Sequence, residues 1–315
     1  MVVQVAASWT RMWWGRGMGV SGGQLPYEDG MTSSTTVALG GGWCESTESC
    51  LLFVNKTNGV GSSKLMNKFR FSGVFSKKQS QNPGFYNWNR VIMRYCDGAS
   101  FTGDVEKVDP ATNLHYRGAR IFNAIMKELL AKGLNNASNA LLTGCSSGGL
   151  AAILYCDKFR AMLPATSRVK CVPDAGYLVH VKDISGKYHF QKFFNKIIKL
   201  HNSKINLPTS CTSKMKSGLC FYPQFILPEI KTPVFVINSA YDSYQVQNIL
   251  APEEADRYDS WSACKLNTSN CSRTQLMKLY GHYSKRTLYA LCIVQPNIDR
   301  ASKILVFFQI LGQIL

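Results

Sequence analysis

An α/β fold with a mostly parallel central sheet flanked by helices is what three stretches of the chain predict. The first is Asn139-Ala140-Leu141-Leu142-Thr143, an apolar run that enters Gly144-Cys145-Ser146-Ser147-Gly148 and continues into a helix-like segment, residues 150–156. The second is residues 117–132, where Ile121, Phe122, Ile125, Met126, Leu129 and Leu130 recur at helical spacing before Gly133 stops the helix. The third is Thr232-Pro233-Val234-Phe235-Val236-Ile237-Asn238, an apolar strand pattern followed closely by Asp242.

Taken in order, residues 1–36 are rich in Gly, Ser, Thr and Met without a clear period, and little ordered structure is expected there. Val37-Ala38-Leu39 reads as a short strand ending in Gly40-Gly41-Gly42-Trp43-Cys44. Residues 51–85 read as loop-rich and polar. Arg90-Val91-Ile92-Met93-Arg94-Tyr95-Cys96 reads as a buried strand, with the turn-rich Asp97-Gly98-Ala99-Ser100-Phe101-Thr102-Gly103-Asp104 at its carboxyl end, where α/β proteins place their sites. After the helix at 117–132 come the strand and turn at 139–148, a helix to about Ala161, and a strand over Val169-Lys170-Cys171-Val172-Pro173-Asp174. Residues 188–200 carry a helical period, and 202–230, punctuated by Pro and Cys, read as a lid or cap. The sequence Gln275-Leu276-Met277-Lys278-Leu279-Tyr280-Gly281-His282 reads as helix.

With 315 residues, 45% of them hydrophobic and 17% charged, the chain can bury a sizeable core. Its net charge of +17 fits nucleic acid, an anionic membrane surface or an acidic polymer. The basic residues are scattered, and the cluster Lys64, Lys68, Arg70, Lys77, Lys78 has no interleaved stacking aromatics, so no nucleic-acid partner is expected. An acidic polysaccharide fits better, and a simply basic, soluble surface fits equally well. No apolar run reaches the ~20 residues of a membrane span, the longest candidate being Ile304 to Leu311. Eleven cysteines, with the close pairs Cys44…Cys50, Cys211…Cys220 and Cys264…Cys271, point to disulfides and an oxidising compartment. Zinc is disfavoured because C-x-x-C and nearby His partners are lacking, and neither metal nor cofactor is expected. Sequons at Asn55, Asn136, Asn267 and Asn270 agree with secretion, yet no signal peptide is readable in residues 1–19, and an altered or incomplete start is expected.

Gly144-Cys145-Ser146-Ser147-Gly148 is a G-x-S-x-G sequence at a strand-to-helix junction, the setting of a nucleophile elbow. Such a turn projects Ser146 at the head of a helix and aims the Ser147 amide at an oxyanion. Gly40-Gly41-Gly42-Trp43 lacks the Lys and Ser/Thr of a P-loop and reads as the second half of that oxyanion hole. Strand, helix, serine turn, strand, acid is the α/β-hydrolase order, with Asp242 as the acid or, alternatively, as a helix N-cap. Of five histidines only His282 follows Asp242, and it reads as a surface helix residue.

The stretches Gly40-Gly41-Gly42-Trp43-Cys44, Tyr86-Asn87-Trp88-Asn89-Arg90, Arg94-Tyr95-Cys96-Asp97-Gly98-Ala99-Ser100-Phe101, Gly144-Cys145-Ser146-Ser147-Gly148-Gly149, Asp174-Ala175-Gly176, Ala240-Tyr241-Asp242-Ser243 and Asn248-Ile249-Leu250-Ala251-Pro252 together resemble plant pectin acetylesterases, relatives of the Notum carboxylesterases of animals. The resemblance spans residues 37–291, between a divergent segment 1–36 and an apolar tail 292–315. It implies an α/β-hydrolase with a disulfide-rich cap, a secreted or cell-wall setting, a monomer, and hydrolysis of O-acetyl esters on pectin, an anionic polysaccharide. Ser146 falls on the family's nucleophile, Asp242 on its acid, and Gly42, Trp43 and Ser147 on its oxyanion hole. The chain departs from the pattern at several places. Ser147 stands for the family's alanine and Leu39 for a glutamate, and the cysteine that the family pairs with the position of Cys96 is not recognisable in residues 1–36. The family's histidine, in an Ala-His-Cys-Gln-like stretch, has no counterpart after Leu291. Both ends are therefore expected to be products of splicing or an imperfect gene model, and the chain a deficient esterase. The alternative is a non-catalytic binder of acidic polysaccharide on the same scaffold.

Overall fold

The computed structural model describes residues 2–5, 33–38, 40–56, 71–239 and 242–281. Five parallel strands form one sheet in the order β1-β3-β2-β4-β5: β1 (Val2–Val5), β2 (Ser33–Ala38), β3 (Asn89–Met93), β4 (Asn139–Cys145) and β5 (Arg168–Asp174). Parallel strands need crossovers, and helices supply them on both faces. Helix α1 (Thr47–Lys56) follows β2, and α2 (Gly118–Ala131) links β3 to β4. Helices α3 (Ser147–Leu154) and α4 (Cys156–Ala161) link β4 to β5, and α5 (His189–Leu200) follows β5.

The helical stripe of α2 is core as its spacing predicts: Ile121, Phe122, Ile125, Met126 and Leu129 are buried, and Gly133 stops the chain at φ 108°. Two expectations are corrected. Residues 1–36 are not devoid of order, because β1 pairs with β3 and β2 begins at Ser33. The Ser/Thr-rich segment Ser33-Ser34-Thr35-Thr36 looks polar, yet Ser34, Thr35 and Thr36 are buried, since a central parallel strand is covered on both faces. Residues 51–85, expected to be loop-rich, also hold the end of a helix that the sequence pattern did not mark. Helix α1 occupies their start, tied back to the glycine turn by the Cys44–Cys50 disulfide, a tertiary constraint that local propensity does not report.

All three close cysteine pairs are disulfides, and a fourth, Cys156–Cys171, fastens α4 to β5. That pair is 15 residues apart with a helix between, so spacing alone does not suggest it. Residues 203–230 form the cap as a string of short turns with α6 (Thr209–Thr212), held by Cys211–Cys220. Phe221 and Tyr222 of the cap pack on Phe194 of α5 with ring centroids 4.8 Å apart.

The run 232–238 lies beside β5 as a sixth, interrupted parallel strand. Cys171 N–H donates to Pro233 O (2.9 Å), Phe235 N–H to Cys171 O (2.8 Å), Ile237 N–H to Pro173 O (2.9 Å) and Ala175 N–H to Ile237 O (2.8 Å). The missing rung belongs to Pro173, which has no N–H to give. Beyond this segment, α7 (Ser243–Gln245) begins directly after Asp242 and runs into a wider turn over Val246–Leu250. Residues 273–281 are helical, as their sequence predicts, while His282 lies outside the described residues.

Candidate active site

The site sits at the carboxyl ends of β2, β3, β4 and β5. Ser146 joins β4 to α3 with φ 57° and ψ −124°, a conformation that costs a non-glycine residue energy and is held here by its surroundings. Its N–H donates to Asp174 O at 2.9 Å, and its carbonyl accepts from Leu150 N at 3.0 Å. The tightness of the turn is visible at Gly144, where a Cβ would come within 2.3 Å of the Gly148 carbonyl oxygen and 2.5 Å of that of Ala38. Ser146 is half-buried, with its turn facing solvent.

The glycine turn lies across the head of α3. A Cβ on Gly40 would stand 2.1 Å from Cys145 O and 3.1 Å from Ser147 N. Gly41 and Gly42 N–H donate to Ser147 Oγ at 2.9 and 3.2 Å. Behind them Tyr95 and Ser100 complete a buried relay. Tyr95 O–H donates to Gly42 O (2.8 Å) and accepts from Ser100 N–H (2.9 Å), while Ser100 O–H donates to Ser147 O (2.8 Å) and accepts from the Trp43 indole N–H (2.9 Å). The relay ties the main chain at Gly42 and Ser147 and the side chain of Trp43 into one unit. Among the described residues, the amides of Trp43 and Ser147 make no hydrogen bond.

The loop after β3 that supplies Ser100 turns on Asp97. Its carboxylate accepts from the amides of Ala99 (3.2 Å), Phe101 (3.1 Å) and Gly103 (3.1 Å), allowing Ser100 and Phe101 to sit at φ 53° and 61°. Asp97 is fully buried, and burial pushes its carboxyl up to about 6 despite these three donors.

Asp242 stands at the end of the interrupted strand and caps α7, accepting from Gln245 N–H at 2.9 Å. The N-cap role is therefore real, and it leaves the second carboxylate oxygen for another partner. Burial raises the Asp242 carboxyl above its ordinary range, and the negative charge of Asp174 adds to this against the amide bonds that lower it. The Cys145 thiol is exposed beside Ser146, and its pKa is raised by its partial burial and then by Asp174 and Asp242. Both carboxylates thus act on the neighbourhood of Ser146.

No described histidine has a recorded contact with Ser146. His180 stacks on Tyr188 and meets Gln191 Oε1 at 3.0 Å, and His115 meets Asn113 Oδ1 at 3.3 Å. His189 pairs with the buried Asp183 at 2.6 Å. His201 is buried behind the glycine turn, its Nε2–H donating to Cys44 O at 3.0 Å, and burial lowers its pKa to about 4. It lies 3.6 and 3.9 Å from Cys44 and Cys50 Sγ, but those sulfurs are joined as a disulfide and offer no thiolate to a metal.

Next to the site runs a groove of about 800 Å³ between α5 and the segment after Asp242, with Phe190, Phe193, Tyr244 and His189 on its walls and Asn248 and Glu253 among its polar lining. Tyr244 links groove to site, its ring 6.0 Å from that of Trp43. Sequence reasoning missed Tyr95, Ser100 and Asp97 as parts of the site. The only signal for them was the turn-rich loop at the end of β3, and the partners of Tyr95 and Ser100 lie far off in sequence, 53 residues for Gly42 and 47 for Ser147.

The family model for Pectinacetylesterase matches residues 27–302, further at both ends than the motifs alone extend. Pectin acetylesterase 7 of Arabidopsis thaliana is 55% identical over 245 residues, covering 77% of this chain and 62% of the relative. Pectin acetylesterase 11 of the same plant is 51% identical over 257 residues, covering 81% and 65%. The chain thus spans 62–65% of the length of these relatives. The Drosophila Wnt deacylase Notum has a similar fold, with a TM-score of 0.70 at 21% identity over 85% of this chain and 75% of that one.

Proposed function

Because the chain belongs to the pectinacetylesterase family, we propose that it is a carboxylic ester hydrolase that removes O-acetyl groups from pectin in the plant cell wall, with Ser146 as nucleophile. The observation that carries this reading is the Ser146 turn, strained at φ 57° and held at the head of α3 beside two free backbone donors. Ser146 Oγ attacks the acetyl carbonyl carbon as its proton passes to a general base; no described histidine is placed for that role, and His282, the histidine that follows Asp242 in the sequence, lies outside the described residues. The tetrahedral oxyanion is met by the amides of Trp43 and Ser147. Collapse returns the proton to the sugar oxygen and leaves acetyl-Ser146, which water then cleaves to acetate. The groove beside Tyr244 offers aromatic faces and amide and carboxylate groups to the sugar chain, and the net charge of +17 attracts a polyuronate over longer range. The four disulfides suit an oxidising, extracellular setting, and no described helix is long and apolar enough to cross a membrane.

A second reading, a non-catalytic binder of acidic polysaccharide, is favoured by one observation: the recorded contacts of the described histidines all lie away from Ser146. A fluorophosphonate probe separates the two. The hydrolase reading expects labelling of the folded chain, and hydrolysis of an aryl acetate that falls by at least ~10³-fold in Ser146→Ala. Pectin binding without labelling or turnover would establish the binder.

A further inference from the structure

We propose that the Ser147 hydroxyl holds the Gly42 amide out of the oxyanion hole. This chain would then present two backbone donors, Trp43 and Ser147, where alanine at position 147 would leave three. The inference rests on the reading of Ser146 as nucleophile.

The Ser147 side chain is wholly buried and points toward Tyr95, on the core side of the glycine turn. Its oxygen accepts from two consecutive amides, Gly41 at 2.9 Å and Gly42 at 3.2 Å. Tyr95 in turn grips Gly42 O at 2.8 Å. Both polar groups of Gly42 are therefore engaged from behind, whereas the amides of Trp43 and Ser147 are not engaged among the described residues. A methyl group at position 147 accepts nothing. The Gly42 amide would then lose its rear partner, and its best remaining acceptor would be the negatively charged oxygen in front, a stronger acceptor than a neutral hydroxyl. Gly42 sits at φ 85°, a conformation open to glycine, and no atom lies within 4 Å of where its Cβ would be. Ser147 is thus a positioning residue, acting through Gly42, and its hydroxyl trades oxyanion stabilisation for a fixed glycine turn.

The test reads hydrogen bonding and oxyanion binding separately. In the unmodified chain, amide exchange followed by NMR should find Gly41 and Gly42 protected, and Ser147→Ala should speed both by at least ~10-fold. Phenylboronic acid probes the hole: its trigonal boron gains a bond to Ser146 Oγ, the hydroxyl proton leaves to solvent, and a tetrahedral anion remains. Ser147→Ala is expected to tighten this adduct about tenfold, well within the ~10²–10³ that one oxyanion donor supplies in catalysis. Ser147→Thr, which keeps the hydroxyl, should retain the parent's affinity. Unprotected Gly41 and Gly42 amides in the parent would overturn the proposal. So would an unchanged or weaker boronate adduct in a Ser147→Ala chain whose circular dichroism matches the parent's. A boronate response indifferent to Ser146→Ala would instead overturn the nucleophile reading, with the exchange data still deciding the partner of Gly42.

Discussion

At Asp242 one carboxylate meets two demands, and substitution can separate them. One oxygen caps α7 through Gln245, and the proposed role of orienting a histidine falls to the other. Asparagine caps a helix as well as aspartate but carries no charge, whereas alanine does neither. Asp242→Asn should therefore leave the urea midpoint almost unchanged while lowering kcat by about 10⁴-fold, the loss seen when a triad acid becomes an amide. Asp242→Ala should lose the same activity and about 1 kcal/mol of stability as well. Both variants can be read by urea denaturation and aryl acetate hydrolysis. The sequence offered cap and acid as alternatives for this residue. The backbone geometry allows both, because a carboxylate has two oxygens and a helix N-terminus engages one of them.

Among the elements, the loop between β3 and α2 holds the most stored electrostatic cost. Burial raises the Asp97 carboxyl from 3.8 to about 6, so the folded state binds its proton more tightly than the unfolded chain does. The stabilising effect of that proton is complete below pH ~4 and is lost as pH rises through about 6, a difference of roughly 3 kcal/mol. Asp97→Asn cannot ionise. Its stability relative to the parent should rise by about 3 kcal/mol between pH 4 and pH 7, as urea titrations across that range would measure. The strand and helix periods of α2, β4 and β5 were legible because each is set by local apolar spacing. Helix α1 was not, and the loop at Asp97 was legible as a turn but not for its buried carboxylate, which gathers the amides of Ala99, Phe101 and Gly103.

At the scale of the whole molecule, the parallel sheet and the serine turn were readable, because strand, helix and turn signals recur in hydrolase order, while the strand order β1-β3-β2-β4-β5 was not. The Tyr95–Ser100–Ser147 relay was not, since it joins three loops that meet only when the sheet is assembled. The excess of 36 basic over 19 acidic side chains is also a property of the whole, and on the proposed function binding to de-esterified pectin is expected to depend on salt. Affinity measured by calorimetry should fall at least tenfold between 50 mM and 500 mM salt, while hydrolysis of a neutral aryl acetate should change little. The rung missing at Pro173 divides the molecule in another way. Four amide bonds, split around that proline, hold residues 232–238 to β5, and Phe235 on that segment is half exposed. This interrupted ladder is expected to open more cheaply than β4, which is paired on both sides. The segment leads into Asp242, while Ser146 follows β4 inside the sheet. On the roles proposed for them, opening of this segment would part acid from nucleophile while β2, β3 and β4 stay paired.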